Sequence, residues 1–493
     1  MTGWPDQPVI YEINTAVWLD ELSRAAGRPV TLAGVGAADW DAAVPAGVDA
    51  VWLMGVWDRS PAGLALANAN AELQASFADA LPDLRHADVT GSPYCVRRYV
   101  VDAGFGGPDA LAVARAALAA RGARLILDYV PNHVAPDHPW VTSRPELFVR
   151  GDADDIKSDP GGWMTAAGRV LAHGRDPYFP PWPDVVQLDA FSPDLRAATA
   201  DVLTGIAAQC DGIRCDMAML MTNGVFARTW GGRTGSAPDA DFWPSVLGTL
   251  RARHPETVMI AEAYWDMEWV LQEQGFNFCY DKRLYDRIIS QDASAVRDHL
   301  RADLSYQSRL VRFLENHDEP RIASCLPADA ERAAAVAIAT LPGATFWHEG
   351  QFEGRRVRPP VFLSRRPEEA PDLELARWYR RRLLTAVDSH RVRAGAWRLL
   401  EVGGWPDNRS CASLAAWCWA GDRGGDRHVV VVNLSGQPAQ ARIPLDWPDL
   451  PGRSWQLTDI VGQNVFERDG GELASPGMFV DLGPWQFHLF ALQ

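Results

Sequence analysis

Eight short apolar runs, set between residues 9 and 350 and separated by helical patterns, limit what this chain can fold into. They are VIYEIN (9–14), AVWLMGVW (50–57), RLILDYV (124–130), GIRCDMA (212–218), VMIAEAYW (258–265), FNFCYD (276–281), VRFLENHD (311–318) and TFWHEG (345–350). Each is a near-continuous hydrophobic stretch, the pattern of a strand covered on both faces. Several intervening segments read as helices. GPDALAVARAALAARG (107–122) carries proline in its first turn and closes on Gly122. SPDLRAATADVLTGIAAQC (192–210) opens on a capping serine followed by proline, and ERAAAVAIATLPG (331–343) is a third case. Strand–helix alternation repeated eight times predicts an α/β fold, a (β/α)8 TIM barrel. A doubly wound open sheet is the alternative.

The alternation has one long gap and one end. Between the third and fourth strands, residues 134–185 are rich in proline, glycine and aspartate, as in SDPGGW and DPYFPPWPD. We read them as a small loop-rich insertion after strand 3. The barrel then comprises residues 1–133 and 186–387, closing with a basic helix at 373–387. Beyond it, short alternating stretches such as HVVVVNL (428–434) and QFHLFAL (486–492) lie between turn residues. They predict a C-terminal antiparallel β-sandwich over 388–493.

Charge and cysteine content narrow the function classes. The 493 residues carry 63 acids against 47 bases, a net charge of -16. That argues against nucleic acid or an anionic membrane as partner, since both need a basic surface. No apolar run reaches the about 18 residues of a membrane span. The N-terminal segment lacks a basic stretch followed by an apolar one, so no secretory signal is read there. The seven cysteines are odd in number and form no CxxC pair. We expect reduced thiols in a cytoplasmic protein.

A barrel places its chemistry at the C-terminal ends of its strands. In this chain those ends hold Asp128, Arg214, Asp216, Glu262, His317 and Asp318. Residues two apart on a strand share a face, so Arg214 and Asp216 should point together into the barrel mouth. The cation favours an ionised Asp216, whereas the apolar neighbours of Glu262 favour a protonated acid. Two carboxyls in opposite protonation states are what glycoside hydrolysis needs. In the retaining form they stand about 5–5.5 Å apart.

These residues carry a family resemblance. Asp128-Tyr129-Val130-Pro131-Asn132-His133, GIRCD (212–216), Glu262 and Asn316-His317-Asp318 resemble, in order, the four short motifs of glycoside hydrolase family 13, the α-amylase family. QLD (187–189) and Gly350-Gln351 resemble supporting motifs. The resemblance implies Asp216 as nucleophile, Glu262 as general acid/base and Asp318 as transition-state stabiliser. It implies that Arg214 orients Asp216, that His133 and His317 bind the donor sugar with support from Asp128, and that Tyr94 stacks on that sugar. The chemistry then requires no cofactor. A structural calcium held in part by Asn132 is implied, although the acidic run 152–159 matches no calcium loop.

Departures bear on specificity. Where starch-cutting relatives often carry Lys-His after the nucleophile, this chain has Met217-Ala218-Met219-Leu220, and Arg98 replaces a frequent aspartate. The expected activity is therefore a retaining α-glycosidase acting on short oligosaccharides or small α-glucosides. The alternatives are a transglycosylase or isomerase, trehalose-synthase-like or sucrose-acting, and an inactive carbohydrate-binding protein.

Overall fold

The computed structural model describes residues 3–387, 392–421 and 426–493. All eight apolar runs contribute strands to one closed parallel barrel. In chain order these are β1 (Val9–Asn14), β2 (Ala50–Met54), β3 (Arg124–Tyr129), β4 (Gly212–Cys215), β5 (Val258–Ala261), β6 (Phe278–Tyr280), β7 (Leu310–Arg312) and β8 (Ala344–His348). Consecutive strands are neighbours. β1 closes the ring, pairing β2 through Ile10–Ala50 and β8 through Val9–Thr345. That closure excludes the open sheet.

Alternate side chains along a strand face opposite ways, and the two sets form different cores. Ile10, Trp52, Ile126, Ile260, Val311 and Phe346 join one apolar cluster inside the barrel. Tyr11, Val51, Leu125, Ile213 and Met259 join the larger cluster under the helices. The predicted helices are Gly107–Ala119, Pro193–Ala207 and Ala328–Thr340. Ser192 Oγ accepts the Leu195 N–H at 3.3 Å, the cap its sequence predicts.

Some strands end sooner than their apolar runs suggest. AVWLMGVW is not one strand: β2 stops at Met54, Gly55 turns the chain at φ +76°, and Trp57–Arg59 pairs with Val96–Val101. A Cβ at Gly55 would lie 2.6 Å from that of Pro93, so only glycine fits the turn. His317 and Asp318 likewise sit on a loop past β7. There Asn316 Oδ1 accepts the N–H groups of Asp318 and Glu319, both at 2.8 Å. This side-chain turn competes with the sheet ladder.

The insertion has more regular structure than its composition suggests. Helices Pro139–Ser143 and Ala153–Ser158 accompany a four-stranded antiparallel sheet of His133–Val134, Trp182–Gln187, Arg169–Gly174 and Trp163–Ala166. Pro183 near the start of one strand hid it, although proline is tolerated there.

Towards the C-terminus, six antiparallel strands run in the order Ala396–Leu399, Leu414–Ala420, Arg427–Asn433, Phe487–Leu492, Ser454–Asp459, Val465–Asp469. One face packs on the pair Ala439–Ile443 and Met478–Leu482. The other, through Trp417, Val430 and Leu489, joins the core of the barrel. Trp419 Nε1 donates to Thr340 O at 2.7 Å across that junction. The expected boundary at residue 388 falls at 388–391, outside the described residues. Among the described residues no helix is long and apolar enough to cross a membrane.

Candidate active site

Arg214 organises the mouth of the barrel. It lies on β4 beside Asp128 of β3 and Ile260 of β5, and is 1% exposed. Its Nη1 is 2.8 Å from Asp216 Oδ1 and 3.6 Å from Asp128 Oδ1; its Nη2 is 2.7 Å from Glu262 Oε2. The guanidinium also faces the rings of Trp52, Tyr94 and Tyr280 at 5.0, 5.4 and 5.8 Å. One buried cation therefore serves three carboxyl groups inside an aromatic cage.

The main chain aims these carboxyls after the strands have ended. Asp216 N–H donates to Tyr129 O at 2.9 Å, and Glu262 N–H donates to Cys215 O at 3.0 Å. Both residues thus keep a sheet-like contact with the neighbouring strand. Met217 then takes φ +39°, a left-handed conformation rare for a non-glycine residue. The turn lets its N–H donate to Glu262 Oε2 at 2.7 Å. Such local strain persists where the surrounding structure over-determines it, often at functional sites. Tyr264 Oη donates to the other oxygen, Glu262 Oε1, at 2.9 Å.

Electrostatics separates the carboxyls. Burial pushes the Glu262 carboxyl up to about 7; Arg214 opposes the rise, and Asp216 and Asp318 add to it. Burial also raises Asp216, against the charge and hydrogen bond of Arg214. Arg214 favours an ionised Asp216, as its charge predicts, but it resists the burial effect without reversing it. For Asp318, burial acts upward, but His317 overcomes it and brings the carboxyl down to about 2. Its side chain is 46% exposed, so solvent also favours its charge, and His317 Nε2 stands 2.9 Å from its Oδ2. Asp128 is raised by burial, with Arg214 opposing; its Oδ2 accepts Trp52 Nε1–H at 3.1 Å and Gly55 N–H at 3.0 Å.

Comparison with known proteins points the same way as this geometry. The chain is 24% identical over 459 residues to the α-amylase MalA of Haloarcula japonica, covering 90% of this chain and 57% of that protein. It is 21% identical over 267 residues to α-amylase 3 of Dictyoglomus thermophilum, half of each chain. The chain is thus similar to α-amylases over nine-tenths of its length. It spans little more than half the length of these curated relatives. No protein-family model matches it. The fold is shared with the maltogenic α-amylase AmyB of Thermotoga neapolitana (TM-score 0.68, 18% identity, 99% of this chain and 98% of that one). It is shared equally with the acarbose complex of the Geobacillus thermoleovorans α-amylase (TM-score 0.68, 17% identity, 100% and 99%).

The other residues suggested by the α-amylase-family motifs fall into two groups. Tyr94 is at the site: its ring stacks on His317 at 5.4 Å and its Oη is 2.7 Å from His317 Nε2. His133 hydrogen-bonds the Tyr94 main chain and lies against Trp182 at 5.2 Å; burial lowers it to about 4, so it is neutral. Asn132 is turned to a structural task. Its Oδ1 and its carbonyl both accept from Gln187 Nε2, at 2.8 and 2.9 Å, and the carbonyl accepts the Leu188 N–H as well. Oxygens already accepting N–H donors do not make the multi-oxygen cage a calcium ion needs. Among the described residues, no group of three or more His, Cys, Asp or Glu side chains could hold a metal. In the acidic run, Asp152 caps a helix and Arg233 clamps Asp155, with Nη1 3.0 Å and Nη2 2.5 Å from its oxygens. Among the described residues, Asn132 and the acidic run do not fit calcium.

The departures from the family pattern also have places. Arg98 Nε pairs with Asp58 at 2.7 Å. Ala218 to Met221 are buried core. Just past β8, Glu349 pairs with Arg366, and Glu353 with Arg380. Sequence reading missed Trp52, Tyr264, Tyr280 and Glu12. Two-residue spacing was the available signal: Tyr264 follows Glu262 by two, and Glu12 is a carboxylate on the inward face of VIYEIN. It also missed an aromatic rim. Tyr178 and Phe179 of the insertion are 58% and 65% exposed, and Tyr178 meets Trp265 edge-on at 4.8 Å.

Proposed function

We propose that the chain is a retaining α-glycosidase that cleaves α-glucosidic bonds in short oligosaccharides or small α-glucosides. One observation carries the reading: a single buried guanidinium holds both Asp216 and Glu262, at 2.8 and 2.7 Å, while burial lifts Glu262 to about 7. Asp216, bonded to Arg214, attacks the anomeric carbon. Glu262 protonates the leaving oxygen, then takes a proton from the incoming water. Asp318, kept ionised by His317, steadies the positive charge that develops on the sugar ring. Tyr94 and His317 form one wall of the donor pocket, and His133 steadies Tyr94 from behind.

Similarity to α-amylases, and acarbose in the Geobacillus structure, support a carbohydrate substrate. The apolar Met217–Leu220 segment supports a short one, because charged contacts for a long leaving chain are absent from it. The barrel, insertion and C-terminal divisions at 133, 185 and 387 belong to this reading, as does a cytoplasmic location, which fits seven free cysteines.

Proton NMR of the first product from an α-glucoside tests it. Initial release of the α-anomer is expected. Initial β-anomer would replace the double displacement by direct attack of water.

A further inference from the structure

Glu12 lies on β1, is fully buried, and belongs to none of the motifs above. Its Oε1 stands 2.5 Å from His317 Nδ1. On the other side of that ring, Nε2 is 2.9 Å from Asp318 Oδ2 and 2.7 Å from Tyr94 Oη. Two carboxylates, one on β1 and one on the loop past β7, thus bracket one imidazole. A neutral ring carries one N–H and one lone pair, so it would turn a lone pair toward a carboxylate oxygen at hydrogen-bond distance. Only a ring protonated on both nitrogens can donate to both.

The surrounding charges agree with that state. Asp128 on β3 adds negative charge near the ring. Arg214 on β4 is the opposing cation, but it is engaged by Asp216 and Glu262 and separated from the ring by Tyr94, whose ring it faces. Trp52 on β2 meets the imidazole edge-on at 5.4 Å. Behind Glu12, its Oε2 has no hydrogen-bond partner among the described residues, and His348 Nε2 on β8 stands 3.7 Å away. His348 is itself held at Nδ1 by Arg321 at 2.9 Å, with Glu315 at 3.3 Å.

We propose that Glu12 is a positioning residue that fixes His317 as a doubly protonated imidazolium, whose Nε2–H locks Asp318 in the orientation the donor sugar requires. Glu12 touches no substrate and acts through His317. Its catalytic consequence rests on the function proposed above; the protonation state of His317 does not.

The test separates the two. Full-length protein labelled with 15N-histidine is recorded without substrate between about pH 5.5 and 8.5. The His317 signals are assigned by their loss in His317→Asn. Both His317 nitrogens are expected in the protonated range throughout. In Glu12→Gln one nitrogen should become unprotonated by about pH 7, and kcat/KM on maltose should fall by up to about 10²-fold. Glu12→Asp should restore part of both. An unprotonated His317 nitrogen in the unaltered protein at about pH 6 overturns the proposal, as does a Glu12→Gln spectrum identical to it. If Glu12→Gln fails to fold, the spectrum of the unaltered protein decides alone. Failure of the enzyme assay with the predicted spectrum intact would count against the proposed function instead.

Discussion

Two buried arginines, Arg214 and Arg312, stand in the same barrel and live in opposite environments. Arg312, on β7, is saturated. Its Nε donates to Pro342 O at 3.1 Å, its Nη1 to Asp281, and its Nη2 to Gln307 Oε1 at 2.5 Å. Asp281 is bound in turn by His299 and by the Leu284 N–H. Burial would raise Asp281, but Arg312 and His299 bring it down to about 2. Arg214 is instead outnumbered by carboxyls, and its Nε and Nη2 have no well-aligned hydrogen-bond partner among the described residues. Its carboxyl neighbours are pushed up rather than down. A one-to-one, fully bonded pair serves the fold. Surplus carboxyls around one cation leave protons that can move, the condition acid–base chemistry requires.

Substitution in the two clusters should therefore separate activity from stability. The largest effect expected is on turnover. Asp216→Asn should lower kcat by about 10⁴-fold or more, with unchanged circular dichroism and little change in unfolding free energy. Asp281→Asn should do the reverse, costing about 3–5 kcal/mol in urea unfolding because it strands the Arg312 charge, while the folded fraction keeps its kcat. A harmless Asp281→Asn, or an Asp216→Asn that unfolds the protein, would erase the distinction.

A smaller effect is expected from pH alone. With Glu262, at about 7, as the proposed proton donor, kcat/KM should fall on the alkaline side by about tenfold per pH unit above that value. The acid limb is expected from Asp216, the proposed nucleophile, which is raised from the ordinary carboxylate range. Steady-state kinetics across the range checks both. An alkaline limb well above neutrality would mean that Glu262 is not the group titrating.

The contrast between the arginines also explains which parts of the molecule were legible in sequence. The barrel was, because strands covered on both faces must be apolar throughout and eight such runs admit few arrangements. Arg214, Asp216 and Glu262 were legible as charges inside those runs. The loop following β7 was not: what lifts His317 and Asp318 out of the sheet is the Asn316 side chain, a local competitor that an apolar run does not announce. Glu12 was equally visible as a charge in VIYEIN, but its partner His317 lies 305 positions away. The sheet in the insertion was hidden by its prolines. Asn132 shows the opposite error. A motif residue suggested a metal, whereas Gln187, in the neighbouring strand, consumes its oxygens.

The smallest prediction concerns stability and follows from the sign of the Glu262 shift. Its carboxyl is raised from 4.5 to about 7 on folding, so the native site prefers the protonated acid more than the unfolded chain does. The stability this contributes is complete below about pH 4.5, declines as pH rises through the interval, and is gone above about 7. Glu262→Gln keeps the shape, removes the titration and leaves Arg214 to Asp216. It should be inactive, yet melt higher than the parent at about pH 8, by about 1–2 kcal/mol. Below about pH 4.5 the two proteins should converge. Thermal unfolding of both at the two pH values checks this. An equal gain at both would trace the effect to packing, and the surplus of carboxyls around Arg214 would lose its energetic signature.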